Sequence, residues 1–243
     1  MYHTKLVKIR DNLYALEQAM TIEEGVVRCF LLIGSEKALL IDCGVTPDDL
    51  PGLVRTVTDL PLLVALTHAD GDHTVNVNRF PCIQMHEDDM HLVLRRYPDA
   101  EIEIQNLNGG DQIDLGGLVL DVLHIPGHTH GSLAYLNRSE HYLIPGDSVD
   151  YAPVHMYGTH RNFPDYMRSL KRLKDLGGFD CLYSSHAELC LPASAVSQQL
   201  QVCEGIQDGT IPGQAPIPEH LKKTGAKLYR KGPCSVYYTP ASK

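Results

Sequence analysis

The sequence has no Cys-x-x-Cys pair, no basic excess and no apolar run long enough to cross a bilayer. Its seven cysteines are scattered and odd in number in a chain of 243 residues. That argues against a disulfide framework and for reduced thiols. Lys and Arg total 21 against 30 Asp and Glu, a net charge of −9. Such an acidic balance disfavours nucleic acid and anionic membrane surfaces as partners. The densest basic stretch, RSLKRLK at 168–174, reads as the solvated face of an amphipathic helix. The apolar run Val26 to Ile33 is broken by Arg28 and is too short to span a membrane. The opening MYHTKLVKIRDNLYALEQ has no apolar signal core, which makes cytoplasm the expected compartment. No linker divides the chain and no short-period repeat runs through it, so one domain over 1–243 is expected.

What is present is an ordinary globular composition, 43% hydrophobic and 21% charged, enough for a sizeable core. Strands are predicted at 6–16, 26–34 and 37–44. A helix is predicted over 46–60, with Thr46 as N-cap followed by Pro47 and acids. PLLVALTH is a buried-type strand; a short helix follows His73, then strand CIQM at 82–85 and an amphipathic helix at 86–97. The second half repeats the theme. Strands are predicted at 118–125, 132–136 and 141–147, a helix at 162–176, a strand at 179–186 and a helix at 192–206. The stretch 208–220 is rich in Pro and Gly and reads as a loop, and 233–239 as a closing strand. Strands followed by helices, twice over, imply two β-plus-α halves packed face to face.

Polar residues gather where these strands end. LTHADGDHTVN at 66–76 packs His68, Asp70, Asp72 and His73 into six positions just past an apolar run. PGHTHGS follows strand 118–125 and carries His128 and His130. PGDS follows the next strands and carries Asp147, and SSHAE carries His186. One histidine at a strand end is usually a turn or hydrogen-bonded residue. Four such loops, each with His or Asp, are a different matter, because a rigid α/β scaffold can bring strand-end loops together in space.

The order His-x-Asp-x-Asp-His, then Pro-Gly-His, Gly-Asp and a late strand-end His, resembles the metallo-β-lactamase superfamily over roughly residues 26–206. LLIDCG before the first helix and NGGDQIDLGGLVLDVLHIPGHTHGSLAYL are similar to the glyoxalase II-like hydrolase branch. The resemblance implies an α/β fold, a four-layer αββα sandwich, with the site at one edge between the two sheets. It implies two divalent metal ions, Zn, Fe or Mn, as cofactors. Carried over by position, His68, Asp70 and His128 would hold the first ion, Asp72, His73 and His186 the second, and Asp147 would bridge them. Two divalent cations would balance three carboxylates and one bridging hydroxide.

Position 70 departs from the family pattern, in which a second histidine stands there. Its carboxylate either ligates, moving preference toward iron or manganese, or turns away and leaves the first ion weak or absent. The implied chemistry is hydrolysis of an activated carbonyl, a thioester or lactone, by a metal-bridging hydroxide, with Asp72 orienting it as the catalytic residue. The expected partner is a small-molecule substrate, with neither nucleic acid nor membrane. The alternative on the same scaffold is an iron-dependent oxidoreductase, to which the carboxylate at position 70 gives a resemblance through the di-iron flavoprotein branch, or a persulfide dioxygenase-like protein, whose branch normally keeps the histidine there. Among the other residues, His130 is expected to line or tune the site or to be a rim residue. His155 and His160, with Tyr151 and Tyr157, are expected in a substrate wall. His124 is expected to be a hydrogen-bonded core residue, and His86, His91, His141 and His3 to lie on the surface. Cys43 and Cys190 are expected in buried packing.

Overall fold

The long apolar runs of this sequence are strands buried on both faces, and that double burial generates the architecture. In a computed structural model, residues 3–20, 25–215 and 218–239 are described. The first sheet has seven strands in sequence order. They are β1 (Lys5–Arg10), β2 (Leu13–Ala19), β3 (Val26–Ile33), β4 (Ala38–Ile41), β5 (Leu62–Ala65), β6 (Cys82–Met85) and β7 (Glu103–Asn106). Helices α1 (Leu50–Arg55), α2 (Gly71–Thr74) and α3 (Glu87–Arg96) lie between its later strands. The second sheet is built from β8 (Gln112–Asp114), β9 (Val119–His124), β10 (Leu133–Asn137), β11 (Tyr142–Ile144), β13 (Cys181–Tyr183) and β14 (Cys190–Pro192). Two longer helices, α4 (Phe163–Leu176) and α5 (Ser194–Gln207), accompany it. A third, small sheet places β16 (Cys234–Tyr238) between β12 (Val154–Met156) and β15 (Lys227–Lys231).

Side-chain alternation assigns each residue to a layer. In β3, Phe30 and Leu32 enter the core between the sheets with Leu39 and Ile41 of β4. Their partners across the seam are Leu120, Leu133, Tyr135 and Ile144. The intervening Cys29 and Leu31 face the other way, toward Leu50, Leu53 and Val54 of α1 and Leu92 and Val93 of α3. In the second sheet Ala134, Leu136, Leu143 and Leu182 meet Tyr166, Leu170 and Leu173 of α4 and Val196, Leu200 and Cys203 of α5. Three cores between four layers make the αββα sandwich that the motif order implied.

Several boundaries differ from the sequence reading. Residues 6–16 form two strands of a hairpin, because Asp11 and Asn12 turn the chain between β1 and β2. The helix expected over 46–60 is reduced to α1. Its cap is Asp49, whose Oδ1 accepts from Gly52 N at 3.1 Å, while the Thr46 hydroxyl donates to Asp48 instead. β7, β8 and β14 are short strands with exposed faces and little apolar pattern. β16 does not close either main sheet; it pairs in parallel with β12 and antiparallel with β15. In the loop 208–220, residues 216–217 lie outside the described residues, and Gln214 bridges to Leu228.

All seven cysteines are free; Cys43 is buried as expected, but Cys190 is exposed because β14 is an edge strand. His86 is buried rather than on the surface. It caps α3, accepting from Asp88 N, and stacks on His124 at 4.0 Å. Among the described residues, no helix is long and apolar enough to cross a membrane.

Candidate metal centre

Parallel pairing makes the ends of β4 and β5 point the same way, as do those of β11 and β13. The loops leaving β5, β9, β11 and β13 carry the predicted residues, and the seam between the sheets brings them together. Past β5 the chain reaches His68. It then makes the single turn α2, which has Asp70 as its N-cap residue and carries Asp72 and His73. Asp147 sits on a one-turn 3-10 segment after β11, where Gly146 has φ +54° and lies against Thr67, leaving no room for a Cβ. Helix α3 clamps two of these loops. Buried Asp89 accepts from Ala69 N and from Gly131 N, at 3.3 and 2.9 Å, and Arg96 donates to Ala69 O at 3.0 Å.

All seven predicted residues converge in two groups. His68, Asp70, His128 and Asp147 form one; Asp72, His73, Asp147 and His186 form the other. Asp147 belongs to both. Its Oδ1 lies 3.1 Å from His73 Nε2 and 3.0 Å from His186 Nε2. Its Oδ2 lies 3.9 Å from His68 Nε2 and 3.7 Å from His128 Nε2. Asp70 Oδ2 is 3.2 Å from His128 Nε2 and 3.6 Å from His68 Nε2, and Asp72 Oδ2 is 3.7 Å from His186 Nε2. Ligand atoms around one ion at bond lengths of ~2.0–2.1 Å stand roughly 3.4 Å apart, which these spacings match.

Hydrogen bonds fix which ring nitrogens are bare. His73 Nδ1 donates to Asp42 Oδ2 at 2.9 Å. Thr67 Oγ1 donates to the same oxygen at 2.8 Å, so at 2.9 Å it accepts from His68 Nδ1. His186 Nδ1 donates to Val26 O at 3.1 Å. In each ring Nδ1 carries a proton for an outside acceptor, which leaves Nε2 facing the cluster, open to a cation or, without one, to a second proton. Nε2 of His68 and both ring nitrogens of His128 are buried with no hydrogen-bond partner among the described residues. Nε2 of His73 and His186 face each other at 3.4 Å. Ring nitrogens crowded against one another and against three carboxylates, some of them buried without a partner, are costly unless positive charge stands among them, as a divalent ion or as added protons. The residues present therefore fit divalent metal.

The electrostatics of the two groups differ. Burial alone would lower the pKa of every imidazole here. Against that burial, Asp147, Asp72 and Asp42 raise His73 well above its ordinary value, and Asp147 raises His186 to about 9. His128 goes the other way, pulled down to about 4 by burial and then by the charge of Arg161. Burial acts to raise Asp147, yet His186 and His73 hold it well below the usual carboxylate range. Asp70 is also held low against its burial, by the adjacent imidazoles of His128 and His68 and by the charge of Arg161.

Asp42, Thr67, Asp150 and Arg161 were not singled out from sequence. Asp42 stands within LLIDCG, directly after β4, in a left-handed conformation with φ +68°. A carboxylate placed directly after a buried strand was the signal. Asp150 Oδ2 accepts from Ser184 Oγ and His186 N, which fixes the loop of His186. Arg161 Nη2 donates to Asp70 Oδ2, and its Nε donates to His155 O at 2.9 Å. That guanidinium adds a positive charge absent from the balance drawn from the ligands alone.

The groups open on a cavity of about 160 Å³ walled by Met20, Val26, Pro153 and His155. His155 thus lies in the wall. His160 instead contacts His91, and the Tyr151 hydroxyl donates to Gln198. His130 lines a separate hollow with Asp88, His124 and Asp165, and its carbonyl accepts from His124 Nε2. His86, Asp88 and His124 form a third group, but the two rings stack with planes 11° apart. Their in-plane lone pairs run parallel and do not meet at one point.

Three comparisons bear on this site. A family model described as the metallo-beta-lactamase superfamily matches residues 22–186. The chain is 27% identical over 183 residues to an acyl-coenzyme A thioesterase, MBLAC2, from Gallus gallus; the match covers 60% of this chain and 66% of that protein. It is 33% identical over 167 residues to a hydroxyacylglutathione hydrolase from Aeromonas hydrophila, covering 65% of this chain and 59% of that one. Each match spans less than two thirds of the relative's length. Among solved structures, a metallo-beta-lactamase from Pontibacter korlensis aligns with a TM-score of 0.70 at 17% identity, covering 83% of this chain and 99% of the other. A metallo-beta-lactamase family protein from Thermus thermophilus aligns with a TM-score of 0.63 at 22% identity, covering 84% and 80%. At those identities the structural likeness speaks for the fold alone.

Proposed function

We propose a function from one premise: the chain belongs to the metallo-beta-lactamase superfamily. Within it we read the protein, over residues 1–243, as a single-domain, two-metal hydrolase of a small-molecule thioester, with lactones as the next class. The observation that carries this reading is the pair of His/Asp groups sharing Asp147, with bare Nε2 atoms turned to a cavity between the sheets. The relatives give it direction. One is by name a thioesterase and the other a hydrolase of an acylglutathione; both names are those of hydrolases rather than oxidoreductases.

On this reading His68, Asp70 and His128 hold one ion, Asp72, His73 and His186 the other, and Asp147 touches both. Divalent ions bound there would supply Lewis acidity and bring the pKa of the water they bind down toward neutrality. The chain supplies the rest. Asp72 lines the cavity beside His186, where its carboxylate accepts a hydrogen bond from the attacking water and orients it. Asp42, through His73, and Asp150, at the backbone of His186, keep the rings from turning. Met20, Val26 and Pro153 form an apolar wall that excludes bulk water from the reacting carbonyl. The cavity is small beside the ~300–1,000 Å³ of pockets that enclose a whole drug-sized ligand. It fits the reacting end of a substrate whose remainder lies outside.

The experiment is a panel of thioesters, lactones, β-lactams and phosphodiesters offered to metal-loaded protein. Thioester turnover, with lactones second, is expected. Phosphodiester cleavage without carbonyl hydrolysis would overturn the reading. Oxygen uptake with a persulfide in place of hydrolysis would assign the chain to the iron-dependent alternative.

A further inference from the structure

The two groups share a ligand but are unequal in everything behind it. Behind Asp72–His73–Asp147–His186 stand two more carboxylates, Asp42 on His73 Nδ1 and Asp150 at His186 N. A carboxylate behind an imidazole makes it a better ligand; Asp42 does this for the ring of His73, while Asp150 holds the backbone of His186, whose Nδ1 donates to Val26 O. Behind His68–Asp70–His128–Asp147 there is none on a ring. His68 Nδ1 meets only the Thr67 hydroxyl, and His128 Nδ1 is buried without a partner. The one carboxylate particular to this group, Asp70, is shared with a cation. The same Oδ2 that faces His128 and His68 accepts from Arg161 Nη2, and the Arg161 side chain is 13% exposed, so water screens it little.

We propose that Arg161 is a positioning residue that makes the first position the weaker and exchangeable one, by neutralising Asp70 and placing a fixed positive charge beside the ion held there. This deepens the two-metal reading above and rests on it. Two consequences of the geometry support it. The guanidinium lowers the donor strength of Asp70 Oδ2 by taking one of its lone pairs. Its charge also repels a divalent cation in a partly dry site, where Coulomb energies at short range amount to several times the thermal energy. Arg161 Nε also holds His155 O, so the strand that walls the cavity, β12, and the carboxylate at position 70 are tied through one side chain. A ligating histidine at position 70 would offer this arginine no partner. The departure at position 70 and the arginine at 161 therefore belong together.

The test is metal titration of chelator-stripped protein with Zn²⁺ and with Mn²⁺, in competition with a chromophoric chelator, so that substrate plays no part. The parent should show two classes of site separated by at least about tenfold in affinity. His128→Ala should delete the weak class and His186→Ala the tight one. Arg161→Gln should tighten the weak class by about tenfold or more, because a unit positive charge is removed from beside it. Arg161→Lys, which keeps the charge, should stay close to the parent and also serves if Arg161→Gln does not fold. Two equal sites in the parent, or an Arg161→Gln protein whose weak class is unchanged or weaker, would overturn the proposal. If the parent takes up no divalent ion, this proposal and the two-metal function fall together. If the asymmetry is found but thioesters and lactones are not hydrolysed, only the function falls.

Discussion

Replacing Asp42 by Asn should cost the second metal position most of its affinity, through a proton rather than a lost contact. Asp42 is buried, and its carboxylate accepts three hydrogen bonds: from Thr67 N at 2.7 Å, from Thr67 Oγ1 at 2.8 Å and from His73 Nδ1 at 2.9 Å. Asn is nearly isosteric and tolerates the left-handed conformation at this position. It has one oxygen, however, and both ends of the carboxylate face donors. If the oxygen stays on Thr67 N, the amide NH₂ faces His73 Nδ1. The ring can then accept from it only by moving its proton to Nε2, the atom that points at Asp147 and His186. A protonated Nε2 cannot ligate. If the amide flips, the backbone N–H of Thr67 is left facing a donor, at about 1–3 kcal/mol for a buried unsatisfied group. Loss of an outer-shell partner of a metal-binding His typically costs 10–100-fold in affinity. We therefore expect a fall of that size for the tighter ion in Asp42→Asn, with a much smaller change at the other position. The assay is chelator competition on folded protein, with circular dichroism to confirm the fold. An unchanged tight class would refute the role assigned to Asp42.

Three further outcomes are expected. Asp147→Ala should lose both ions, whereas His186→Ala should deplete mainly one, as read by elemental analysis of protein purified without added metal; full occupancy in Asp147→Ala would end its bridging role. In metal-free protein His186 is raised to about 9 from an ordinary value near 6.5. Its contribution to stability is therefore fully present below about 6.5 and is lost as pH rises through about 9. Urea midpoints of chelated protein should accordingly fall across that window, and should fall less in His186→Gln; identical slopes would refute the linkage. Gly127→Ala should destabilise by about 1–3 kcal/mol, the usual scale of overpacking, because φ is +141° and a Cβ would stand 2.3 Å from Tyr166 Cα. A melting temperature equal to the parent's would contradict that contact.

Legibility from sequence followed burial. α3, α4 and α5 carry apolar residues at helical spacing over three or four turns, and their predicted bounds hold to within two residues. β3 and β4 are apolar on both faces because they lie between two cores, so they stood out as runs. β7 and β8, with sequences EIQN and QID, each bury only one side chain fully or partly and left no run to find. The hairpin of β1 and β2 was merged because a two-residue turn barely interrupts the alternation. In the site, residues at strand ends were legible because the chain itself brings them there. Arg161 was not. It lies on the loop after β12, and only the packing of the second half against the first places it on Asp70. Arg161 also bears on Asp70, whose carboxylate is shared between two imidazoles and a guanidinium.

The pairing of β12 with β16 bears on what holds the cavity wall in place. Val154, His155 and Met156 are hydrogen-bonded in register with Val236, Tyr237 and Tyr238, so the strand that carries the cavity wall depends on a partner far along the chain. Neither strand belongs to the two large sheets that bring the His and Asp groups together. The wall and the groups therefore rest on separate pairings, and a change in β16 can loosen His155 and its neighbours without breaking a strand pair of either main sheet.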